Sequence, residues 1–276
     1  ATTGRIRLFN VKSGSLLTSP FEPNDGSPAW LEFSSDGSTA LGYCSGADRV
    51  VEWDTKTWRP KRTIGPLVSG VRRVVTAPST KSLLVVPRTG PAALWDSRSV
   101  EPQQFDLGEW LDITPTPDGS ELIVTSTNGT WLRPLDQNLE QRRLSKSGGG
   151  KVLLHPEGGM LALFNRNIRV LEMPSGRELW SLELPGEYDD AAFLPGNRLI
   201  HGDANVRSPG EFQQLLHIRE ARTGRLLRTI DLTHPLGAAA VSTDGKLLAL
   251  AIGEAVELRS TKSLELLHRL HHPQAQ

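Results

Sequence analysis

The chain has 276 residues, of which 37% are apolar and 22% charged, so it can bury a sizeable core and is not collagen-like, disordered or disulfide-dense. Its 31 basic and 31 acidic residues cancel, which disfavours nucleic acid and anionic membrane surfaces as partners. The single cysteine, Cys44, cannot form an internal disulfide, and no apolar run approaches the ~20 residues of a membrane-spanning helix. We therefore expect a cytoplasmic globular protein that binds neither nucleic acid nor membrane.

One sequence pattern recurs seven times along the chain. Each copy is a short alternating segment followed by a bulky or long residue and then a polar residue or proline, and two copies end in Trp-Asp, at Trp53-Asp54 and Trp95-Asp96. The bulky positions are Phe9, Trp53, Trp95, Arg133, Leu171, Arg219 and Arg259. Their separations of 44, 42, 38, 38, 48 and 40 residues bracket the ~40–45 residues of a four-stranded propeller blade.

Turn-forming residues follow these segments at a fixed distance. Six of the seven copies have a serine or threonine four residues after the bulky position, and three of these continue with glycine, at Gly14, Gly176 and Gly224. Hydroxyl and glycine residues favour tight hairpin turns. The pattern therefore predicts a hairpin between the third and fourth strands of each repeat.

A second kind of turn separates two apolar strands within each repeat. Pro117-Asp118-Gly119 and Thr243-Asp244-Gly245 are examples, and Pro and Asp-Gly set the backbone angles of such loops. The strand that follows is strongly apolar, as in Leu161-Ala162-Leu163-Phe164. This composition is typical of a strand that is covered on both faces by neighbouring sheets.

These motifs resemble the WD-repeat β-propellers, in the divergent form common among bacterial proteins, over essentially the whole chain. Two departures stand out. The Gly-His pair that the family places ahead of its first strand is missing, and only Asp48 and Asn128 lie near the turn position of its buried aspartate. The resemblance implies an all-β propeller of four-stranded antiparallel blades, held together mainly by apolar packing between sheets.

The number of blades follows from the number of complete strand sets. Six sets begin near Trp30, Val71, Trp110, Lys151, Tyr188 and Ala238. Residues 4–20 read as only the third and outer strands of one more blade, and a half-blade would expose an unpaired edge. The sequence therefore predicts a seven-bladed single domain over residues 1–276, in which the N-terminal half-blade is completed by an upstream part of a longer protein or by a partner.

The resemblance places the binding face of such a propeller at the loops that enter the first strand of each blade and the central channel. Nine side chains, which we call the entrance residues, fall there and are expected to bind a partner: Trp30, Arg72, Arg73, Trp110, Asp112, Lys151, Tyr188, Asp189 and Asp190. Aromatic residues and arginine are enriched at binding hot spots. The two tryptophans have an alternative role, since large apolar side chains also pack between blades.

An insertion at residues 201–214 accounts for the 48-residue spacing before Arg219. Long loops on a rigid scaffold often carry function, so Arg207, Glu211 and Phe212 are candidate partner contacts, with Phe212 as an anchor. A tolerated surface insertion explains the same residues, because lengthening a loop destabilises the fold little.

Little in the sequence points to catalysis, a metal or a cofactor. The seven histidines lack zinc-ligand spacing, and the chain has neither a Gly-x-Ser-x-Gly elbow nor a phosphate loop. We therefore expect a non-catalytic scaffold whose partners are other proteins or other domains of the same longer chain. The alternative is a propeller enzyme or small-ligand sensor, in which Asp112, Lys151, Asp189 and Asp190 converge in the channel.

Overall fold

The computed structural model of the chain describes residues 8–17, 28–34, 37–44, 49–65, 70–77, 82–87, 90–95, 102–184, 190–208 and 211–271. Their regular secondary structure consists of β-strands. Among them, no helix has the length and hydrophobicity needed to span a lipid bilayer.

The described strands form six antiparallel sheets of four strands, which we call blades 1 to 6. Blade 1 consists of β1 (Pro28–Phe33), β2 (Thr39–Cys44), β3 (Arg49–Asp54) and β4 (Pro60–Ile64). Blade 2 consists of β5 (Val71–Ala77), β6 (Ser82–Pro87), β7 (Ala92–Trp95) and β8 (Gln103–Phe105). Blade 3 consists of β9 (Asp112–Pro115), β10 (Glu121–Ser126), β11 (Gly129–Pro134) and β12 (Arg142–Ser145).

The remaining three blades repeat this arrangement. Blade 4 consists of β13 (Lys151–Leu154), β14 (Met160–Phe164), β15 (Asn167–Glu172) and β16 (Glu178–Glu183). Blade 5 consists of β17 (Ala191–Leu194), β18 (Arg198–Ser208), β19 (Glu211–Glu220) and β20 (Leu226–Leu232). Blade 6 consists of β21 (Leu236–Val241), β22 (Leu247–Ile252), β23 (Ala255–Ser260) and β24 (Leu266–His271). Each blade begins within a few residues of the position that the sequence predicts.

The prediction of a seventh blade is wrong, because the described residues form an all-β propeller of six blades. Of the segment interpreted as half a blade, residues 8–17 are described, and they form a hairpin with one isolated bridge between Phe9 and Leu16. Asn10 Oδ1 accepts hydrogen bonds from the N–H groups of Lys12 and Ser13. The turn signal was therefore correct, but a turn is stabilised locally and does not determine how many strands flank it.

The chain divides into two compact units. The first comprises Ala1–Gly108, Pro115–Leu122 and Pro134–Glu140, and contains blades 1 and 2. The second comprises Glu109–Thr114, Ile123–Arg133 and Gln141–Gln276, and contains blades 4, 5 and 6. Blade 3 contributes residues to both.

Apolar side chains pack between neighbouring blades within each unit. In the first unit, Tyr43 and Val50 of blade 1 share a core cluster with Val74 and Val85 of blade 2. In the second unit, clusters join blade 3 to blade 4, blade 4 to blade 5 and blade 5 to blade 6. All five residues of β14 and five of the six residues of β10 are buried, as predicted for second strands that are covered on both faces. In β22, buried and half-buried residues alternate, so one face of that strand is less completely covered.

The hairpins between third and fourth strands also form as predicted. In blades 1, 4, 5 and 6 the pairing has a register shift at the bulky position, next to Trp53, Leu171, Arg219 and Arg259. The polar group that follows holds the turn: Asp54 Oδ1 accepts a hydrogen bond of 2.9 Å from Thr57 N–H, and Glu220 Oε2 accepts one of 2.7 Å from the Thr223 hydroxyl. The Ser or Thr four residues after the bulky position therefore stabilises the turn through hydrogen bonds to the acidic side chain that precedes it.

Candidate functional site

The register of the first hairpin places five of the entrance residues at equivalent positions. In blades 1, 3 and 4 the backbone N–H of the first turn residue donates to the carbonyl five residues later, as from Ser34 to Thr39. Four residues before that turn lie Trp30, Asp112 and Lys151. The β5–β6 register places Arg73 there, and the shorter turn of blade 5 places Asp190 there. These five entrance residues therefore occupy equivalent positions in their blades.

Asp112 is buried and both of its carboxylate oxygens accept hydrogen bonds from backbone N–H groups. Oδ2 accepts from Val152 on the first strand of blade 4 at 2.8 Å, and Oδ1 accepts from Ile113 at 2.9 Å. A buried carboxylate needs such donors to offset its desolvation. Asp112 therefore joins the first strands of two adjacent blades.

Asp190 does the same between later blades. Its Oδ2 accepts a hydrogen bond of 2.7 Å from Ala239 N–H on the first strand of blade 6, and its Oδ1 forms an ion pair with Lys151 Nζ of blade 4. Asp190 is buried, whereas about a third of the Lys151 side chain is exposed. Asp112, Lys151 and Asp190 are thus used to link the first strands of blades 3 to 6.

In the first unit, a residue that the sequence analysis missed has the corresponding role. Glu32 on β1 accepts a hydrogen bond of 3.3 Å from the Thr76 hydroxyl on β5. Burial raises the pKa of Glu32, and the Thr76 hydrogen bond and the charge of Arg73 oppose that shift. The available signal was a glutamate inside the apolar alternation Leu31-Glu32-Phe33.

The other entrance residues differ in exposure. Arg72 is exposed, Arg73 is half-buried, and Trp110 is half-buried just before β9. Of Trp30 the structure describes only the backbone, which pairs with Tyr43. Tyr188 and Asp189 lie outside the described residues. Among the described side chains, the entrance residues with exposed surface are therefore Arg72, Arg73, Trp110 and Lys151.

The insertion before Arg219 is a hairpin extension and not a loop. Strands β18 and β19 remain paired from Arg198 and Glu220 out to Ser208 and Glu211. Arg207, Glu211 and Phe212, of which only the backbone is described, therefore belong to its distal end. The prediction of a loop here is wrong, because the length of the insertion does not show that its two halves pair with each other.

Blade 5 contains a buried polar cluster that the sequence analysis also missed. The rings of His201 and His217 lie 5.0 Å apart, Arg219 Nε donates a 3.1 Å hydrogen bond to His201 Nε2, and His217 Nε2 lies 3.7 Å from Asp203 Oδ2. Burial, reinforced by the charges of His217 and Arg219, lowers the pKa of His201 to about 3. The ring is therefore neutral near pH 7.

The signal for this cluster was the spacing of its residues. His201 and Asp203 are two residues apart on one strand, as are His217 and Arg219 on the next, so period-two alternation directs each pair to one face. His201 and His217 are also direct partners in the β18–β19 ladder. This alternation differs from the spacings of zinc ligands, so a comparison with zinc motifs does not detect it.

Within the described ranges, no group of three His, Cys, Asp or Glu residues is arranged to bind a metal ion. The carboxylates of Asp112 and Asp190 are occupied by backbone N–H groups and by Lys151. These hydrogen bonds and the ion pair fix the spacing of the first strands. The blades therefore form a rigid framework for the side chains at the surface.

Comparison with known proteins defines the fold. No protein-family model and no curated protein match the sequence. Among solved structures, Kuenenia stuttgartiensis hydrazine synthase is similar with a TM-score of 0.70, covering 91% of this chain and 88% of that chain at 16% identity.

Two further structures are similar at the same 16% identity. A chain in the crystal structure of a mitotic checkpoint complex has a TM-score of 0.68, with 91% of this chain and 79% of that chain covered. The β-propeller domain of Myceliophteria thermophila Cps50 (Swd1) has a TM-score of 0.66, with 83% and 81% covered. These likenesses support a β-propeller fold.

Proposed function

We propose that the chain is a WD-type propeller that acts as a non-catalytic scaffold. It binds other proteins, or other domains of a longer chain that contains it, through the entrance residues, and it recognises neither nucleic acid nor membrane. The observation that carries this proposal is the engagement of Asp112 and Asp190 by backbone N–H groups of neighbouring blades. Carboxylates held in this way support a framework and are poorly placed to transfer protons.

The neighbouring structures agree with this proposal. One similar chain is part of a mitotic checkpoint complex, so a propeller of this shape can serve in a protein assembly. The hydrazine synthase neighbour keeps a second candidate, an enzyme or ligand sensor that uses Lys151 and the two aspartates. That candidate requires polar groups that can contact a ligand. Lys151 is the group that favours it, because about a third of its side chain is exposed.

The test is a pull-down from the source organism's lysate with the chain and with the variant Arg72→Glu, Arg73→Glu, Trp110→Ala. A control variant, Lys61→Glu with Arg62→Glu, makes the same charge change on β4. We expect a partner that the control retains and the entrance variant loses while both variants melt like the parent chain. If both variants still bind the partner, the interface lies elsewhere. If no partner is captured with any of the proteins, the scaffold function is contradicted and a ligand screen is the next step.

A further inference from the structure

Two neighbouring blades carry pairs of exposed leucines on their outer strands. Leu226 and Leu227 begin β20, and their exposed fractions are 47% and 42%. Leu266 and Leu267 begin β24, with exposed fractions of 49% and 47%. We call these four residues the leucine doublets. Exposed apolar side chains that cluster on a surface mark interaction sites, whereas single ones do not.

The doublets occupy the same position in their blades. Leu226 pairs with Arg219 and Leu266 pairs with Arg259, each next to the register shift that follows the third-to-fourth-strand turn. Because the two registers agree, each doublet occupies the same structural position in its own blade.

Other blades fill this position differently. In blade 1 it holds Pro60, the partner of Trp53, followed by the exposed Lys61. In blade 4 it holds Glu178, the partner of Leu171. Charged residues and proline protect an outer strand against unwanted pairing. Blades 5 and 6 lack this protection at the same place, so their leucines are not a general requirement of the fold.

The two doublets lie on the outer strands of adjacent blades, and no further described strand pairs with either of them. A common apolar cluster joins blades 5 and 6, and Arg228 of β20 donates a 3.2 Å hydrogen bond to the Ser263 carbonyl in the turn before β24. Strands β20 and β24 are each the last strand of their sheet. An extended segment laid along this edge could therefore meet apolar side chains and unpaired backbone groups together.

The surroundings of the doublets carry an excess of positive charge. Arg222, Arg225, Arg228 and Lys262 are exposed there. Two glutamates lie in the same turns: Glu220, which pairs with Arg225, and Glu265. Arg222 shares its carboxylate partner, Glu172, with Arg177. Complementarity therefore favours an anionic partner.

We propose that the leucine doublets bind an extended acidic segment of a partner protein, whose apolar residues cover the leucines while its carboxylates meet the surrounding arginines. The inference rests on the proposed scaffold function and adds a second surface to it. A second copy of this chain fits less well, because a two-fold contact would place the same cationic patch against itself.

The test uses a phage-displayed random peptide library selected on the folded chain, with fluorescence anisotropy of the enriched peptides. We expect enriched peptides rich in Asp or Glu and in Leu, Ile or Val, whose Kd rises at least about tenfold when all four doublet leucines are changed to serine. The control changes Leu16, Leu17 and Leu139, which are equally exposed elsewhere, to serine and should leave the Kd unchanged. The charge variant Arg222→Glu with Lys262→Glu should also weaken binding.

Several results would overturn the proposal: no enriched peptide, peptides without acidic residues, or affinities that the leucine variant retains. Self-association of the parent chain in sedimentation experiments, lost on the leucine variant, would instead assign the surface to a second copy. A partner that depends on Arg72 and Trp110 while no peptide depends on the doublets would leave the scaffold function standing and remove this inference.

Discussion

Asp190 and Ala239 are joined by a 2.7 Å hydrogen bond from the backbone N–H of Ala239 to Oδ2 of Asp190, which connects the start of blade 5 to the first strand of blade 6. Asp112 and Val152 repeat this bond between blades 3 and 4. The same device at two blade junctions indicates that these aspartates set the spacing of first strands in the second unit.

Replacing Asp190 by alanine should therefore lower the free energy of unfolding by about 2 kcal/mol, since Ala239 N–H and Lys151 both lose a charged acceptor. Asp190→Asn should cost about half as much, because the amide oxygen can still accept from Ala239. Denaturant titration followed by far-ultraviolet circular dichroism measures both values. Equal losses for the two variants would show that the Ala239 bond contributes nothing.

Buried charge in blade 6 gives a second prediction. Glu257 is buried, its Oε2 accepts hydrogen bonds of 2.9 and 2.6 Å from Arg259, and its Oε1 accepts one of 2.8 Å from the more exposed Arg269. Glu257→Ala leaves the Arg259 guanidinium buried without a counter-charge and should destabilise the protein by about 3 kcal/mol.

Arg269→Ala is the matched control for Glu257→Ala, because it removes an ion pair at the surface and should cost less than about 1 kcal/mol. Both variants can be compared in one denaturant series. If Arg269→Ala destabilises the protein as much as Glu257→Ala, the burial of Arg259 is not what makes the glutamate necessary.

A close approach at Gly224 gives a third prediction. Gly224 has a φ of +74°, and a Cβ atom at this position would lie 2.7 Å from Cδ2 of Trp180. Gly196, in the same blade, has a φ of +76° and only Arg198 Nε near such an atom, at 3.8 Å. Gly196→Ala should cost about 1 kcal/mol from backbone strain alone, and Gly224→Ala clearly more. Thermal melts that show the same shift for both would mean that Trp180 moves aside freely.

The sequence predicted the parts of the fold that depend on local chemistry. Strand sets, hairpin turns and apolar second strands follow from alternation and from residues such as Asp54 and Gly224, whose effects act within a few positions. The equivalent positions of five entrance residues also follow from the sequence, since their spacing from the first turn is a local count, and their role in binding stays a prediction.

What the sequence could not provide depends on contacts between distant residues. The role of Asp112 becomes visible only once Val152, on the next blade, is beside it. The seventh blade was wrongly predicted because the turn at Asn10 to Gly14 depends on local hydrogen bonds, and the described residues place it outside the six sheets. Trp58 and Leu264 adopt positive φ values where other copies have glycine, so tertiary packing overrides the turn preference there.

Acid sensitivity gives the last prediction. Because the folded protein holds the pKa of His201 at about 3 and burial also lowers the pKa of His217, the unfolded chain binds more protons than the folded one. Above pH about 6.5 both rings are neutral in the folded and the unfolded chain, so they do not reduce the free energy of unfolding. As the pH falls from about 6.5 toward the folded pKa, only the unfolded chain gains these protons, and the free energy of unfolding decreases. Between pH about 6.5 and 4.5 the loss should be on the order of 2 kcal/mol.

The histidine origin of this slope is tested by measuring unfolding free energies across that pH range for His201→Gln. We expect a flatter pH dependence than in the parent chain, because the group that must gain a proton on unfolding is gone. His234→Gln, in an exposed turn, should keep the parent slope. A parent-like slope in His201→Gln would mean that carboxylates, and not the cluster of His201, His217, Asp203 and Arg219, govern acid unfolding.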